Sequence, residues 1–546
     1  MKNLRTKAVA GIIVTLFLTT MFLSAVPVKS ANIGTLKIGV IGPVGLPHWS
    51  PAGMKEAAEM ARDEINALGG IQFPGGEVDI ALEFGNEWAL PVPDPDAAKA
   101  ETLRLMGEGC HVIMGGFRTE VTTAIIETCM DYNVPFIING ASTTELISQT
   151  VGVNYEKYKY LFRINPVNTS VLLSTIFGFA QFQAACKLIN LYADPAYTNG
   201  TVDQIPYAVL TEDLAWTSEI HIALTDPTKY PAYMGSYFNC TYGARIPETI
   251  TDLTPYLTNP GLQKARLVIH IFSGRAGLPC TIQFSELGVK ATLLGINVLA
   301  QIQEHWDNTL AKCEGESVLS TTGTRTPITP EAEVFWDNFV AKTGKWPIYT
   351  AWGGYDGIFG LKDFVENNGT ITWAEFQDPD IFVAGYENSP EREGITGTFK
   401  FSSLHDAYSP VSLPYLPTNY VRARVVQWQE DPANPGSGIM ETVGPITANY
   451  TQKWKLPGWI YPSGYESLAE SDTVAPPSPA YSYTIDGTIQ LNDIQWITVA
   501  GAWLKKPGEA GWNFNADLND DDFINVVDAV RVAKDFGKTV PGGYPI

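Results

Sequence analysis

Two short polar loops in the first third of the sequence carry groups suited to holding an anion. An apolar strand pattern at residues 111–114 runs into GGFRT at 115–119, and a second at 136–138 runs into NGAST at 139–143. A helix pattern follows each loop. Loops that begin helices at the carboxyl ends of parallel strands present unpaired backbone N–H groups and hydroxyls, which favour anions. The pair therefore predicts a carboxylate-binding layout; the alternative is a pair of ordinary βα turns.

A second set of oxygen-bearing residues lies near the C-terminus, in ADLNDDDFINVVDAVRVAKDFGK. These residues match positions 1, 3, 5, 9 and 12 of a calcium loop, with a backbone carbonyl at position 7: Asp517, Asn519, Asp521, Asn525 and Asp528, with Phe523 at position 7. Oxygen ligands at this spacing suit a hard cation, so calcium is the predicted cofactor of this segment. The alternative is a solvated acidic turn.

Nothing in the sequence has the pattern of a catalytic site. The six histidines are dispersed and none stands in a paired metal-binding spacing: His48, His111, His221, His270, His305 and His405. The sequence contains no HExxH, GxSxG, P-loop or CxxC motif. We therefore expect a protein that is not an enzyme.

Charge and the N-terminal segment indicate an exported protein. The formal net charge of −22 over 546 residues argues against nucleic acid and anionic membranes as partners. At residues 1–31, Lys2, Arg5 and Lys7 precede an apolar run from 8 to 28, which predicts a signal peptide. Because that run is long, an uncleaved membrane anchor is the alternative. Either way we expect an extracellular or cell-surface location.

Six cysteines in an exported chain permit disulfides. Cys110 begins a predicted strand, and Cys129 ends the helix that runs back antiparallel to it. Both α-carbons should then lie at one edge of the sheet, which predicts a Cys110–Cys129 bridge. The remaining four cysteines are left unassigned: Cys186, Cys240, Cys280 and Cys313.

From Leu36 onward, continuous apolar strands alternate with amphipathic helices. This alternation predicts an α/β fold of two doubly wound, Rossmann-like lobes joined by a multi-strand hinge. The predicted bilobed domain spans 35–463, with lobe 1 at about 35–165 and 345–370, lobe 2 at about 170–340, and the remainder shared. A proline-rich linker at 464–482 and a small module at 483–540 follow. Hinged lobes close on a ligand held between them.

Several segments in order resemble one family: LKIGVIGPVGLPHWSPAGMKEAAEMARDEINALGGI, YLFRINPVNTS, ELGVKATLLGINV and KWPIYTAWGGYDGIFGLKDFVE. They are similar to the substrate-binding proteins of branched-chain amino-acid and amide ABC transporters, which have the type I periplasmic-binding fold. The resemblance implies a binder that delivers a small amino acid or related polar molecule to a membrane permease.

The resemblance also implies ligand-binding positions. Thr119 and Ser142 match the family's carboxylate-binding hydroxyls, with the backbone of Gly140 and Ala141 alongside. The other implied positions are a nearby charge, two aromatic walls on opposing lobes and a weaker candidate near the hinge: Arg118, Trp49, Trp216 and Tyr355.

One position departs from the family pattern. Where amino-acid binders usually offer an acid to the ligand ammonium, this chain has Asn297. A neutral amide cannot balance a buried cation. Either another acid such as Asp356 or Glu212 takes that role, or the ligand is an amide, a urea-like molecule or a small carboxylate without an ammonium.

The C-terminal module resembles a dockerin, which implies a cohesin-like partner. The calcium loop and its following helix look like one dockerin repeat, and DGTIQLNDIQWITVAGAW looks like the other. Ser482 and Thr484 stand where the first copy would need carboxylate or amide ligands, which weakens that copy's site. A sensory or scaffold protein docked through this module is the alternative function.

Overall fold

The computed structural model of the protein describes residues 31–43, 53–89, 92–185, 205–226, 238–320, 325–409, 420–444, 454–455 and 457. Several of the predictions above fall outside these residues: the leader up to residue 30, Trp49, Cys186, the linker, and the calcium loop with Asp517, Asn519, Asp521, Phe523, Asn525 and Asp528.

The first lobe is built on a largely parallel sheet. Its strands are β1 (Asn32–Gly42), β2 (Ile71–Phe73), β3 (Gly76–Asn86), β6 (Val112–Gly115), β7 (Phe136–Ile138) and β8 (Leu161–Arg163), and a hairpin of β4 (Trp88–Ala89) and β5 (Val92–Pro93) lies beside them. In the described residues the order is β2-β3-β1-β6-β7-β8, and β2 alone runs antiparallel to its neighbour. Central β1 has apolar side chains buried on both faces, as parallel sheets covered by helices require.

Helices cover both faces of this sheet. They are α1 (Met54–Ala67), α2 (Pro95–Gly107), α3 (Thr119–Asp131) and the single turns α4 (Glu145–Ser148) and α5 (Tyr155–Tyr158). The Asp94 side chain accepts hydrogen bonds from the first turn of α2, and Pro95 occupies the first helical position. Gly69 and Gly70 end α1 with φ of 103° and 80°, a backbone region that glycine adopts readily.

The second lobe has its own sheet. Its strands are β9 (Ile205–Glu212), β10 (Phe238–Ile246), β11 (Leu267–Phe272), β12 (Thr292–Asn297), β13 (Ser317–Ser320), β16 (Arg424–Glu430) and β17 (Gly438–Gly444). The order in the described chain is β10-β9-β11-β12-β13-β16-β17; the first five are parallel, and β16 and β17 pair antiparallel. The structure thus confirms the predicted α/β class.

Helices on the second lobe are α6 (Thr169–Ala185), α7 (Ala215–Thr225), α8 (Thr254–Leu257), α9 (Gly277–Glu286) and α10 (His305–Asn308), with 3-10 turns at Leu262–Lys264 and Val298–Gln301. Alternate residues of β9 and β11 point into separate cores, as the two-residue strand period requires. Among the described residues, no helix combines the length and apolarity needed to span a membrane.

The chain passes between the lobes more than once. It leaves the first lobe after β8 and enters α6, then returns after β13 to form α11 (Pro330–Thr343) and α12 (Tyr349–Asn368), which pack on α1. α13 (Trp373–Phe376), α14 (Pro379–Tyr386) and the hairpin of β14 (Arg392–Gly394) and β15 (Gly397–Phe399) come before the chain rejoins the second sheet as β16.

The predicted Cys110–Cys129 disulfide is not formed, because both cysteines are free and buried in the structure. The Cys110 N–H donates to the Leu105 carbonyl at the end of α2. The Cys129 carbonyl accepts from the Val134 N–H at the turn that leads into β7. Cys110 thus stands between α2 and β6, whereas Cys129 lies in the last turn of α3. Burial raises the pKa of Cys110 to about 11 and also raises the pKa of Cys129.

One buried ion pair joins the first lobe to the returning chain. The Arg163 guanidinium, at the end of β8, donates to both carboxylate oxygens of Asp406 at 2.7 and 2.6 Å. The same guanidinium donates to the backbone carbonyls of Ala141 and Thr143. Arg163 is fully buried, so its charge depends on Asp406 for balance.

We predict that Asp406→Ala lowers the free energy of unfolding by about 3–5 kcal/mol, because it leaves a buried guanidinium without its counter-charge. Denaturant unfolding measures this loss. Asp337→Ala is the matched control, since Asp337 pairs with Arg325 in an exposed ion pair and should change stability far less. Equal losses in the two variants would contradict the prediction.

Candidate functional site

The two polar loops identified in the sequence lie side by side at the carboxyl edge of the first sheet. They follow β6 and β7, which are parallel neighbours. The Asn139 N–H donates to the Gly115 carbonyl at 2.9 Å, which joins the loops directly. Gly115 has φ of 136°, and a β-carbon there would overlap the Ile41 carbonyl, so this turn requires glycine.

A cavity of about 480 Å³, part of it open to solvent, lies between the lobes at these loops. Its described lining comes from both loops, the crossover into α6, the first turn of α7, the ends of β11 and β12, and the start of α12: Phe117, Arg118, Thr119, Gly140, Ala141, Ser142, Pro166, Leu172, Trp216, Ser273, Ile296, Val298, Gln301 and Tyr349.

The loops present hydrogen-bond donors to this cavity. Within the described residues, the Ser142 hydroxyl and the backbone N–H groups of Ala141 and Ser142 have no protein partner. The Thr119 and Thr143 hydroxyls lie 2.5 Å apart, and either can be the donor. Such a set of neutral donors can hold a carboxylate.

Arg118 adds a charge and links the lobes. Its side chain is almost fully buried, and Nη2 lies 2.5 Å from Oε1 of Glu248, which belongs to the second lobe. Its guanidinium also lies over the Trp88 ring, 5.4 Å from the ring centroid. The Arg118–Glu248 pair therefore joins the two lobes beside the cavity.

A further contact holds the lobes together beside the cavity. Glu120 of α3 accepts a hydrogen bond at 3.2 Å from the Ala215 N–H, at the first turn of α7. A carboxylate at a helix N-terminus is favourable because it pairs with the unsatisfied N–H groups there. Within the second lobe, the Thr169 hydroxyl of α6 donates to Glu219 of α7 at 2.6 Å. The Arg118–Glu248 and Glu120–Ala215 contacts give the lobes a closed arrangement.

Trp216 is fixed as a wall of the cavity by a buried chain of hydrogen bonds. Its indole N–H donates to the Ser273 hydroxyl at 3.1 Å, and that hydroxyl donates to Glu212 at 2.7 Å. The Ser273 N–H also donates to Glu212. Burial raises the pKa of Glu212. Glu212 thus fixes the Trp216 side chain through Ser273 and does not itself line the cavity.

The predicted ligand residues divide into three groups. Those that line the cavity are Arg118, Thr119, Gly140, Ala141, Ser142 and Trp216. Trp49 lies outside the described residues. Asn297 and Tyr355 are not among the lining residues.

The structure corrects the prediction for Asn297. Its neighbours Ile296 and Val298 both line the cavity, so the intervening side chain faces the opposite side of the strand. There its Nδ2 donates to Glu316 at 3.1 Å, and its Oδ1 lies against Gly277. Asn297 therefore belongs to the interior of the second lobe.

Tyr355 is also corrected. Its hydroxyl bonds to the Glu64 carboxylate of α1, and its ring packs on Phe335 and Phe359. Asp356, named as an alternative acid, accepts from the Ile395 and Thr396 N–H groups at 3.0 and 3.1 Å. Both side chains therefore stabilise the first lobe away from the cavity.

Sequence reasoning missed three polar lining residues: Ser273, Tyr349 and Gln301. Tyr349 stands at the start of α12; its ring stacks on Phe117, and its hydroxyl donates to the Gly140 carbonyl. Its place six residues before Tyr355 in the same helix was the available signal. Gln301 follows β12 in a 3-10 turn, and no local pattern marks it.

Two histidines that are distant in sequence meet in the second lobe. His305 lies 2.9 Å and His270 lies 3.1 Å from the two oxygens of buried Glu316. Burial alone would raise the pKa of Glu316, but the two histidines lower it well below its usual value. Across the described ranges, no group of histidine, cysteine and acidic residues is arranged to hold a metal ion.

Comparisons with known proteins identify the fold that carries this cavity. A family model described as periplasmic binding protein matches residues 35–234. A leucine-, isoleucine-, valine-, threonine- and alanine-binding protein from Brucella ovis, in a closed conformation, is 17% identical with a TM-score of 0.57, over 76% of this chain and 96% of that chain. A search of curated proteins finds no match.

Two ligand complexes are also similar. A branched-chain amino acid transporter substrate-binding protein from Streptococcus pneumoniae, in complex with isoleucine, is 16% identical with a TM-score of 0.52, over 75% of this chain and 99% of that chain. A solute-binding protein from R. palustris, in complex with benzoate, is 16% identical with a TM-score of 0.53, over 75% and 96%. At these identities the likeness shows the fold, which is the type I periplasmic-binding fold.

A buried carboxyl group, that of Glu87, is hydrogen-bonded to the backbone of the first polar loop. Glu87 is fully buried, and its carboxyl group accepts from the Phe117 N–H at 3.0 and 3.2 Å. Burial raises the pKa of Glu87 to about 8, although Phe117, Trp88 and Arg118 act to lower it. In the folded protein the group is therefore mostly protonated at pH 7.

We predict that Glu87→Gln becomes more stabilising, relative to the original protein, as pH rises from 5 to 8. In this window the unfolded chain has lost the Glu87 proton while the folded state keeps it, so the stability of the original protein falls as pH rises. Glutamine keeps the acceptor and cannot ionise. Urea unfolding at several pH values gives the difference, with exposed Glu286→Gln as control. A difference that does not vary with pH would contradict the prediction.

Proposed function

We propose that this protein is the solute-binding component of an ABC transporter. It captures a small amino acid or related polar molecule between its lobes and delivers it to a membrane permease. The observation that carries the proposal is the interlobe cavity, where one lobe contributes a cluster of donors that have no partner among the described residues and the other contributes Trp216.

The contacts around the cavity support a binder that closes on its solute. Arg118 with Glu248, and Glu120 with the start of α7, join the lobes at its rim. Opening the hinge would break these contacts, and a solute held by both lobes would favour the closed state. The described lining contains no histidine, cysteine, aspartate or glutamate, which supports binding over catalysis.

The structurally similar proteins whose ligands are named support a ligand carboxylate at the polar loops. The Brucella ovis protein is named for five amino acids, and the R. palustris protein is in complex with benzoate. The ligands named for both proteins carry a carboxylate. An amide or urea-like ligand, and a sensory or scaffold role, remain the alternatives that the experiment below separates.

We place the protein outside the cell, exported by the segment at 1–31, either cleaved or kept as an anchor. The module at 483–540 would bind calcium through the loop that begins at Asp517 and dock to a cohesin-like domain. Docking across the linker at 464–482 would hold the binder near its permease. The spacing of oxygen ligands in the sequence supports the calcium part of this proposal.

We predict that the double variant Thr119→Val, Ser142→Ala binds its solute at least tenfold more weakly. Each change removes a hydroxyl donor worth about 1 kcal/mol, or more to a charged acceptor. A thermal-shift screen of leucine, isoleucine, benzoate, acetamide and urea first identifies a binding probe, and titration calorimetry then measures both proteins.

The control for this experiment is Thr258→Val, Ser285→Ala, which removes two hydroxyls from the second lobe away from the cavity. It should leave affinity unchanged. Unchanged affinity in the Thr119, Ser142 variant would place the site elsewhere. No shift with any probe, and no solute retained through purification, would favour the scaffold alternative.

We predict that the full-length chain binds one calcium ion firmly and a second weakly or not at all. Asp517→Ala and Asp528→Ala should each abolish the firm site, because each removes a carboxylate ligand. Asp535→Ala, in the following helix pattern, is the matched control. Calorimetric calcium titration measures all four proteins, and firm binding that survives both ligand substitutions would reduce the loop to a solvated acidic turn.

A further inference from the structure

Resting on the proposed solute-binding function, we infer that the solute is a small monocarboxylate carrying a neutral hydrogen-bond donor, and that Gln301 accepts that hydrogen bond. This class of solute does not include α-amino acids, because their amino group is a charged ammonium. Three properties of the described cavity lead to it: its charge, its unpaired acceptor and its apolar walls.

The described lining of the cavity carries a cationic side chain and no acidic one. Arg118 is the one charged side chain among the described lining residues. A ligand carboxylate can use it together with the donors of the polar loops. A ligand ammonium would find no carboxylate in this lining, and a buried cation without a counter-charge is strongly disfavoured.

Two acids near the cavity, Glu212 and Glu248, lie beside Arg118. A β-carbon on Gly274 would lie 2.5 Å from an oxygen of Glu212, 2.9 Å from an oxygen of Glu248 and 3.2 Å from Nη2 of Arg118. Both carboxylates therefore face the guanidinium. Glu248 pairs with Arg118, and one carboxyl oxygen of Glu212 accepts from Ser273; neither acid is among the described lining residues, so neither meets a ligand ammonium there.

Gln301 supplies a neutral acceptor. It lines the cavity and is 3% exposed. Its Nε2 donates to the Leu319 carbonyl at 3.2 Å, which fixes the amide orientation because a carbonyl can only accept. Its Oε1 is buried and has no hydrogen-bond partner in the described chain. A buried acceptor left unpaired is costly, so a ligand N–H or O–H at this oxygen is favoured.

The remaining walls are apolar. Leu172, Ile296, Val298 and the ring of Trp216 line the space between the donor loops and Gln301. They suit an aliphatic or aromatic body. The complete ligand description is thus a carboxylate at the loops, an apolar body along the walls, and one neutral donor at Gln301.

The test compares probes of one shape that differ in one group. Titration calorimetry at pH 7 measures L-leucine, its 2-hydroxy analogue and 4-methylpentanoate, and in parallel benzoate and 4-hydroxybenzoate. We expect leucine to bind at least tenfold more weakly than its hydroxy analogue, and the better hydroxylated probe to bind more tightly than its parent.

Three variants separate specificity from folding. Gln301→Glu should improve leucine and weaken the hydroxy acid, each about tenfold, because it places a negative charge at the acceptor. Gln301→Met should abolish the advantage of the hydroxylated probe and keep parent binding. Asn297→Asp places a carboxylate beside Glu316 on the opposite side of β12, so it should lower stability without changing the order of probes.

Tighter binding of leucine than of either analogue would overturn this inference while supporting the proposed function. An unchanged order of probes in Gln301→Met would overturn the role of Gln301. If no probe binds, the inference fails, and mass spectrometry of solute retained through purification decides the proposed function separately. Should Gln301→Glu fail to fold, the probe series on the original protein still decides.

Discussion

The buried guanidinium of Arg163 is the interaction on which the cavity's donor edge depends. It donates hydrogen bonds to the carbonyls of Ala141 and Thr143. These two carbonyls of the second polar loop are thereby directed toward Arg163, and the loop's backbone N–H groups are directed away from it. The charge of Arg163 is balanced by Asp406, which reaches it from the returning chain. The loop that would meet the solute is therefore set by a charge balance between distant parts of the sequence. A first lobe without its returning segment would lack that balance.

A second charge balance governs how the lobes meet. Arg118 projects from the first lobe into acids of the second, and Gly274 leaves the space in which Glu212 and Glu248 approach it. Glu248 is the carboxylate paired directly with Arg118, at 2.5 Å, whereas Glu212 accepts hydrogen bonds from Ser273. The same guanidinium thus serves both closure and the anion end of the cavity, which couples solute charge to lobe contact.

The sequence was sufficient for the features that depend on local pattern. Alternating strands and helices predicted the α/β class, and the two polar loops were found because strand, glycine and hydroxyl follow one another along the chain. Asn297 was misplaced because family position ignores the two-residue strand period that turns it away from Ile296 and Val298. Gln301 could not be found this way, since only tertiary packing brings its turn to the cavity.

The contacts of Asn297 also explain how β12, which lines one side of the cavity, is held in place. β12 presents Ile296 to the solute side and Asn297 to a buried cluster in which Glu316 contacts His270 and His305. Hydrogen bonds on the hidden face fix the strand and hence the apolar side chains on the other face. The 3-10 turn that carries Gln301 begins where this strand ends. The orientation of the neutral acceptor toward the solute therefore rests on a polar network that the solute never touches.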